Sequence, residues 1–249
     1  METQEYRKLA EVEDRMWYFR ALHALLEERL VKALGPGPAR ILDGGCGAGG
    51  LIRRMKAAHS GWSWTGVDLS PVACGLARER TGLAILEASV EALPFANGSF
   101  DAVVYADVLY HVADEAAAMR EAHRLLRPGG LFVATAPAYP WLWSYHDEAV
   151  QGLRRYTRRG FLEGLTAAGF NGARGTYWNC LLFPFIAVRR KLIPAPQQGS
   201  DVRMGSPVAE GALRGVMAVE GTYLRMGGFF PFGCSILAWG LKPGTQPPV

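Results

Sequence analysis

Cysteine, long apolar runs and clustered metal ligands are all scarce in this 249-residue sequence. Its four cysteines are scattered with no short spacing, which excludes a zinc knuckle and gives no support to a disulfide framework. A reducing, cytoplasmic location is the simpler expectation. The N-terminal stretch is charged and has no apolar signal core. The longest apolar run, residues 177–188, is about half a bilayer span and contains Pro184, so no transmembrane helix is expected.

Neither sign of charge dominates the composition, because the formal net charge is only +4. The charges are nevertheless unevenly distributed along the chain. Residues 1–145 hold 15 Lys and Arg against 17 Asp and Glu, whereas residues 146–249 hold 12 against 6. The basic second part is expected to face something anionic. The modest net charge does not indicate nucleic acid by itself, and no nucleic-acid partner is expected.

The hydrophobic pattern predicts an α/β fold. Apolar residues at three- and four-residue spacing predict a helix over 5–34, which the Gly-Pro repeat at 35–38 ends. Short apolar strands and amphipathic helices then alternate. The strands are expected at 39–43, 62–68, 83–87, 100–106 and 130–136, and the helices at 48–59, 71–80 and 114–127. This alternation is typical of a parallel sheet covered on both faces.

The regularity changes in the second part of the chain. Residues 137–157 are rich in aromatic residues and arginine and are expected to form a loop or short-helix insertion. A helix at 158–168 and strands near 171–177 and 232–240 are expected to complete the sheet. The proline-rich residues 178–227 predict a second insertion, and a segment of this length is more often a lid or binding element than an inert connection.

The most informative stretch is ILDGGCGAGG, residues 41–50, at a strand-to-helix junction. Glycines here let the backbone turn sharply and approach a ligand, and the N–H groups of the next helix open toward it. Asp68 ends the next strand, 23 residues after Gly45, and its carboxylate can accept both hydroxyls of a ribose. These features predict a nucleoside-containing cofactor at the carboxyl edge of the sheet.

The glycine spacing alone fits more than one cofactor. Gly45, Gly47 and Gly50 also satisfy the GxGxxG pattern of dinucleotide-binding proteins, and a purely structural glycine turn is a further alternative. Asp43 helps to separate the cofactors. A carboxylate beside a loop built for pyrophosphate would repel it, whereas a cofactor with an ammonium or sulfonium group would tolerate the carboxylate.

At these residues the sequence resembles the class I S-adenosylmethionine-dependent methyltransferases. The resemblance rests on the glycine loop, TGVDLSP at 65–71, EALPFANGSFDAVVYADVLYHV at 91–112, EAHRLLRPGG at 121–130 and the strand that follows. These segments lie within residues 39–136, about two-fifths of the chain. WYFR at 17–20 and HDEAVQGLRRY at 146–156 resemble a bacterial subgroup of the same enzymes.

The resemblance implies a doubly wound, Rossmann-like, seven-stranded sheet that is mostly parallel, with an antiparallel C-terminal strand, helices on both faces and lid insertions. It implies one methyltransferase domain over residues 1–249. The expected parts are an N-terminal helical cap (1–38), a cofactor-binding core (39–136), lid or substrate insertions (137–157 and 178–227) and the end of the sheet (158–177 and 228–249).

The resemblance also implies which residues bind S-adenosylmethionine. Asp43 and the loop backbone would hold the methionyl end, Asp68 the ribose, and Leu69 would pack on the adenine. The full set is Arg20, Asp43, Gly45, Cys46, Gly47, Gly49, Asp68, Leu69, Ser89, Val90, Glu91 and Asp107. Three positions depart from the family pattern. Ser89 stands in place of an Asp that contacts the adenine amine, Tyr110 in place of a Glu, and Gly152 in place of a His.

Methyl transfer is an in-line displacement, so the protein must align the acceptor, exclude water and, for a hydroxyl, amine or acidic carbon, supply a base. His111, just past the fourth predicted strand, is the first candidate base, and His146 and Tyr156 are further catalytic candidates. Each has a structural alternative, as a histidine that bonds a loop carbonyl or a packed tyrosine. No metal-ligand spacing is present, so no metal is expected.

The acceptor is expected to lie against the insertions. Aromatic residues at 139, 141, 143 and 145 fit either an edge strand or an apolar substrate wall. Arginines at 154, 155, 158 and 159 fit either a solvated helix face or a clamp on a carboxylate or phosphate. The candidate substrate-binding residues are Tyr110, Tyr139, Trp143, Tyr145, Arg154, Arg155 and Tyr177.

Residues 181–194 are apolar and then basic, which fits an interfacial or amphiphile-binding element or a helix buried in a dimer or against the lid. The sequence therefore predicts methyl transfer to a small, partly apolar and anionic molecule by a monomer or homodimer, with peripheral membrane contact left open. A nicotinamide-dependent oxidoreductase and a non-catalytic cofactor-binding or interaction module are the alternatives.

Overall fold

The computed structural model describes residues 3–192 and 200–244. Within these residues seven strands form one sheet in the order 3-2-1-4-5-7-6. The strands are β1 (Ala39–Gly44), β2 (Trp62–Asp68), β3 (Ile85–Glu87), β4 (Phe100–Ala106), β5 (Leu126–Pro137), β6 (Asn171–Trp178) and β7 (Ser235–Leu241). Neighbours among β1 to β5 are parallel, and β7 is antiparallel to both β5 and β6. The mostly parallel, Rossmann-like sheet with an antiparallel C-terminal strand is confirmed.

Helices cover both faces of this sheet, as the sequence predicts. They are α1 (Thr3–Val12), α2 (Trp17–Leu34), α3 (Gly50–Ala58), α4 (Pro71–Thr81), α5 (Glu115–Leu125), α6 (Tyr145–Ala149), α7 (Arg158–Ala167), α8 (Phe183–Leu192) and α9 (Pro207–Arg225). Apolar side chains of α2, α3, α4 and α9 are buried on one face, and those of α5 and α7 on the other. Because consecutive β1 to β5 are parallel, the segments that leave β1, β2 and β4 all begin at one edge of the sheet.

The N-terminal region departs from the prediction of one helix over 5–34. Two helices, α1 and α2, are separated by residues 13–16. The separation has an electrostatic cause, because Arg80 of α4 donates to Glu13 at 2.8 Å and to Asp14 at 2.9 Å. These bonds hold the connection against α4, so that α1 lies against α4 instead of continuing α2.

Residues 178–227 also differ from expectation, because much of this proline-rich segment is helical. Pro184 and Pro207 lie in the first turns of α8 and α9, where the missing N–H group would have no partner in any case. Helix α9 packs along α2 and buries Met217 and Leu224. Pro194 and Pro196, which belong to the same predicted insertion, lie outside the described residues.

Of the two alternatives for the alternating aromatic residues at 139–145, the prediction of an edge strand is wrong. Residues Pro140–Leu142 form a 3-10 turn, and α6 begins at Tyr145. Ser144 and Asp147 cap this short helix reciprocally. The aromatic side chains therefore do not alternate across a pleated strand.

Candidate active site

The loop between β1 and α3 needs glycine for conformation and for space. Gly45, Gly47 and Gly49 have φ values of 72°, 53° and 79°, in the left-handed region that favours glycine. A Cβ on Gly45 would lie 2.5 Å from Val108 Cγ2, and one on Gly49 would lie 2.8 Å from Thr81 Cγ2. The tight loop turns at the carboxyl edge of the sheet, where the sequence places the cofactor.

Asp43, near the end of β1, is a buried carboxylate with an unmet hydrogen-bonding need. It is 1% exposed, and among the residues that the structure describes its Oδ1 atom has no hydrogen-bond partner. Burial, together with the carboxylates of Glu13 and Asp68, raises its pKa well above the usual value. An unpaired buried carboxylate is costly. A cationic ligand group would satisfy it, and S-adenosylmethionine carries two, an ammonium and a sulfonium.

Asp68 ends β2 and organises the same loop. One carboxylate oxygen accepts the N–H of Gly47 at 2.9 Å, and the other accepts the N–H of Ser70 at 2.9 Å. Burial raises the pKa of this carboxyl, and these backbone N–H groups oppose the rise. Each oxygen has a second lone pair, so the side chain can still accept ribose hydroxyls. The next residue, Leu69, is 70% exposed, which leaves an apolar surface free to pack on a flat ring.

The segment after β3 presents a second side of the predicted pocket. Ser89 Oγ donates to Glu91 at 2.8 Å and accepts the Glu91 N–H at 3.2 Å. The other Glu91 oxygen accepts the N–H of Asp114 at 2.9 Å, and Val90 between them is buried. The buried thiol of Cys46, in the glycine loop, has its pKa raised by burial. The contacts of these residues with a cofactor stay predictions.

Asp107, just after β4, has a φ of 53°, which is uncommon for an aspartate. Its carboxylate accepts hydrogen bonds from Tyr18 Oη at 2.7 Å and from Thr135 Oγ1 at 2.8 Å. Tyr18 in turn stacks on Trp178 with ring centroids 5.1 Å apart. An outlier held by several contacts at a sheet edge is typical of a functional site. Sequence reasoning did not select Tyr18 or Thr135, although WYFR contains Tyr18.

Arg20, also in WYFR, lies elsewhere. Residues two positions apart in a helix point in nearly opposite directions, so Arg20 does not share the face of Tyr18. It is exposed and lines a groove between α2 and α9 with Arg214 and Met217. The implied contact between Arg20 and the cofactor has no support in this arrangement.

Helix α1 covers the glycine loop, and although an N-terminal helical cap over 1–38 is expected, the residues that border the loop are not predicted. Leu9 Cδ2 is 3.2 Å from the place of a Cβ on Gly47, and the Glu13 carboxyl carbon is 2.1 Å from the place of a Cβ on Gly50. Burial raises the pKa of Glu13 to about 7 in spite of its bond to Arg80. Burial and the Asp68 carboxylate raise the pKa of Tyr6 to about 12. Tyr6, Leu9 and Glu13 therefore border the candidate cofactor site.

The two candidate histidines are distinguished by their tautomers. His111 Nδ1 lies 3.2 Å from the carbonyl oxygen of Gln151, which can only accept, so Nδ1 carries the proton and Nε2 keeps its lone pair. His146 Nδ1 accepts the N–H of Asp201 at 3.1 Å, so a neutral ring carries its proton on Nε2. Burial lowers the pKa of both to about 4. His111 retains a basic nitrogen, and His146 as arranged here does not.

Tyr156 is a poor base for a different reason. Its hydroxyl donates to the carboxylate of Glu115. Burial and this neighbouring carboxylate raise its pKa far above the usual value, so the phenolate is disfavoured. Among the three catalytic candidates, His111 alone combines a neutral ring with an uncommitted lone pair.

The four arginines do not form the predicted clamp. Arg155 is buried, pairs with Asp147 at 2.7 Å and donates to the carbonyl of Ala138 at 2.9 Å. Arg154 pairs with Glu115 at 3.3 Å. Arg158 lies over the ring of Phe229 at 4.4 Å, and Arg159 pairs with Glu163. Adjacent residues project in different directions, so the cluster in the sequence is dispersed in space. Asp147, committed to Arg155 and Ser144, does not orient His146.

Two of the predicted substrate residues, Tyr139 and Tyr177, come together beyond β5. The Tyr139 ring stacks on Tyr177 with centroids 5.1 Å apart and an interplanar angle of 16°. It also lies 5.8 Å from the rings of Trp141 and Phe183. Tyr145 instead donates to Asp201, and the Trp143 carbonyl accepts from Lys191 at 2.9 Å. We call Tyr139, Trp141, Tyr177 and Phe183 the aromatic wall.

Tyr110 and Gly152, two of the positions that depart from the family pattern, lie against each other. A Cβ on Gly152 would lie 3.0 Å from two carbons of the Tyr110 ring. The absence of a side chain at 152 therefore makes room for the tyrosine that replaces the usual glutamate. Tyr110 is buried, with its ring centroid 3.8 Å from that of His111.

Comparisons with known proteins agree with this fold and identify the family. The chain matches the family described as Methyltransferase domain over residues 42–134. It is 31% identical over 240 residues to the demethylmenaquinone methyltransferase of Thermus thermophilus, with 92% of this chain and 91% of the relative covered. It is 36% identical over 174 residues to a ubiquinone biosynthesis O-methyltransferase of Xanthomonas oryzae pv. oryzae, with 63% and 70% covered.

A solved structure shares the fold. A chain of the complex between the Haloferax volcanii Trm112 methyltransferase activator and a methyltransferase aligns with a TM-score of 0.63 and 21% identity, over 99% of this chain and 96% of that chain. The fold and the family match define a class I methyltransferase. The protein belongs to the S-adenosylmethionine-dependent methyltransferase family, and S-adenosylmethionine is its cofactor.

In residues 3–192 and 200–244 no group of three or more His, Cys, Asp or Glu side chains is arranged to hold a metal ion. None of the helices in the same ranges is long and apolar enough to cross a membrane.

Proposed function

We propose that this methyltransferase acts on a small, flat, largely apolar acceptor with an aromatic ring. The aromatic wall carries the proposal. Tyr139 follows β5, and Asp107 and Tyr110 follow β4, its parallel neighbour, so both sets of residues lie at the edge that also holds the glycine loop. Stacked tyrosine rings offer a flat apolar surface to a ring-shaped ligand.

The relatives support an aromatic acceptor. One is named for demethylmenaquinone and the other for ubiquinone biosynthesis, so both names refer to quinones. An anionic group on the acceptor is not needed for recognition, because Arg154, Arg155 and Arg159 are committed to carboxylates and Arg158 to an aromatic ring.

The cofactor would be held by the residues around the loop. Asp43 would face its positive end, Asp68 its ribose, and Leu69 the adenine, while α1 excludes water from the glycine loop. When bound, S-adenosylmethionine supplies an electrophilic methyl group. The chain then has to bring the acceptor atom into line, and alignment of this kind can contribute about 7–11 kcal/mol.

His111 would receive the proton from an acceptor atom that carries one. Its Nε2 lone pair is available and its ring is neutral near neutral pH, because the pKa is lowered to about 4. A base this weak accepts a hydrogen bond from an acceptor hydroxyl but does not ionise it in advance. Alignment therefore provides most of the catalysis.

A methylation assay tests the proposal. Short-chain demethylated quinols and phenols are offered with S-adenosylmethionine, beside polar anionic acceptors, and the methylated product is measured by mass spectrometry. Turnover is expected with the aromatic acceptors. Tyr139→Ala is expected to raise KM, and Tyr139→Phe, which keeps the ring, to stay near wild type. Turnover with the polar anionic acceptors alone would overturn the proposal.

A further inference from the structure

Helix α8 is amphipathic in the opposite sense from an ordinary surface helix. Phe185, Val188 and Leu192 are 74%, 49% and 76% exposed, and no residue of the helix is buried. Their spacing of three and four residues places them on one face. The polar side chains instead contact the protein. Arg190 pairs with Asp201 at 3.2 Å, and Lys191 donates to the carbonyl of Trp143 at 2.9 Å.

Helix α9 repeats this arrangement. Val208, Val219, Tyr223 and Met226 are 83%, 65%, 46% and 83% exposed, and their spacing places them along one face of the 19-residue helix. The buried face carries two carboxylates, Glu210 and Glu220. These are satisfied by backbone N–H groups, including those of Trp17 and Cys180. Beside Met217 and Leu224, the buried face thus holds both carboxylates of the helix, while one outward face is apolar.

The segment just before α8 is bonded to α9. The backbone N–H groups of Asn179, Cys180 and Leu181 donate to Glu220 of α9, and the Leu181 side chain is exposed. Phe232, 43% exposed, contacts Phe183 at a centroid distance of 5.6 Å. The outward apolar surface comprises Leu181, Phe185, Val188, Leu192, Val208, Val219, Tyr223, Met226, Phe229 and Phe232. Exposed apolar side chains grouped on two helices and the segments beside them, rather than scattered singly, are typical of an interaction surface.

Basic residues outnumber acidic ones in this part of the chain. Residues 178–244 contain seven Lys and Arg against three Asp and Glu. Glu210 and Glu220 are buried, and Asp201 pairs with Arg190. Arg203, Arg214 and Arg225 are exposed, and the other acidic residues that share their grooves, Glu11 and Glu28, belong to the N-terminal helices. An apolar surface in a part of the chain with an excess of basic residues is complementary to an anionic lipid interface.

A second copy of the chain fits this surface less well. A twofold dimer would place the same face on both subunits and bring the arginines of one copy against those of the other. We propose that the outward apolar surface docks on an anionic lipid bilayer, so that the protein is a peripheral membrane enzyme. Docking does not depend on the acceptor. Phe183, on the inner side of α8, belongs to the aromatic wall, so under the proposed function the docked face adjoins the acceptor side of the site.

Vesicle flotation tests the docking. Phosphatidylcholine vesicles with and without phosphatidylglycerol are mixed with the full chain, and the floating fraction is measured. Wild-type protein is expected to float with the anionic vesicles and less so at high salt, which screens the attraction. The double substitution Phe185→Ser and Val188→Ser is expected to weaken binding roughly tenfold or more, because apolar insertion is lost.

Val31→Ser is the matched control. Val31 is 42% exposed on α2, against 49% for Val188 on α8, and lies outside the apolar surface. This variant is expected to float like the wild type, and every variant should keep its thermal stabilisation by S-adenosylhomocysteine. The proposal is overturned if wild type does not float, if the double variant floats equally, or if that variant instead abolishes a dimer. Failure here would leave the acceptor assay untouched, because that assay uses no vesicles.

Discussion

The substitution Asp43→Asn should have opposite effects on stability and on cofactor binding. Asn is nearly isosteric with Asp but carries no charge. In the protein without cofactor, Asp43 is buried near the carboxylates of Glu13 and Asp68, and its Oδ1 atom has no partner among the described residues. An amide neither buries a charge nor has to take up a proton on folding, so the substitution should stabilise the unliganded protein by about 1–3 kcal/mol. For a chain of this size the gain corresponds to a rise in Tm of about 2–10 °C.

Cofactor affinity should move the other way. A hydrogen bond between charged groups contributes about 1.5–3 kcal/mol, so Asp43→Asn is expected to weaken S-adenosylhomocysteine binding by roughly 10- to 150-fold. The product keeps the ammonium group and suits calorimetry. The matched control is Asp101→Asn. Asp101 lies near the N-terminal end of β4, at the edge of the sheet opposite to the glycine loop, and it pairs with Arg127. Its cofactor affinity should equal that of wild type.

The pH dependence has a definite sign. The folded pKa of Asp43 is raised, so the native state holds a proton that the unfolded chain releases near the usual carboxyl pKa. Stability of the unliganded wild type should therefore fall as pH rises above that value, and cofactor affinity should increase as the carboxyl ionises. Asp43→Asn should flatten both trends. Unchanged affinity and an unchanged Tm in this variant would refute the assignment of Asp43 to a cationic ligand group.

The remaining predictions concern the base, a buried ion pair and the covering helix. His111→Asn should lower kcat by about 100-fold, and the wild-type rate should show no His111 step from about pH 6 to 8, because its pKa is about 4. Arg155→Met should lower the free energy of unfolding by about 3–5 kcal/mol, because Asp147 would stay buried without its partner, whereas Arg159→Met should leave the chemical-denaturation midpoint unchanged. Arg80→Met should release Glu13, increase proteolysis at the α1–α2 connection and weaken cofactor binding.

Each of these has a contradicting result. A His111→Asn enzyme with wild-type kcat would show that His111 is not the base and that alignment of the acceptor atom accounts for the catalysis. Equal denaturation midpoints for Arg155→Met and wild type would mean that the buried pair contributes nothing. An Arg80→Met protein that resists protease and binds S-adenosylhomocysteine normally would separate α1 from the cofactor site.

The strands and the glycine loop could be predicted because their signals are local. Residues 62–68 and 100–106 are short, largely apolar and mostly buried runs, and both form strands at those residues. Gly45 and Gly49 have the positive φ values that the loop requires. Such features depend on a few consecutive residues, so one sequence is enough to find them.

The errors arise from partners distant in the sequence. The break between α1 and α2 depends on Arg80, about 65 residues from Glu13 and Asp14. The arginine cluster at 154–159 reads as a unit along the chain, but Arg155 turns inward to Asp147 while Arg159 faces solvent. No periodicity in one sequence reports which of two adjacent side chains is buried against a distant partner.

The most direct test of the account is the transfer of a radiolabelled methyl group from S-adenosylmethionine to a demethylated quinol. The quinol is extracted into organic solvent and its label is counted. The account predicts label in the extracted quinol, one S-adenosylhomocysteine formed per methyl transferred, and a large loss of transfer in Asp43→Asn at limiting cofactor. Label that never enters the aromatic acceptor, but enters polar anionic compounds under the same conditions, would contradict it.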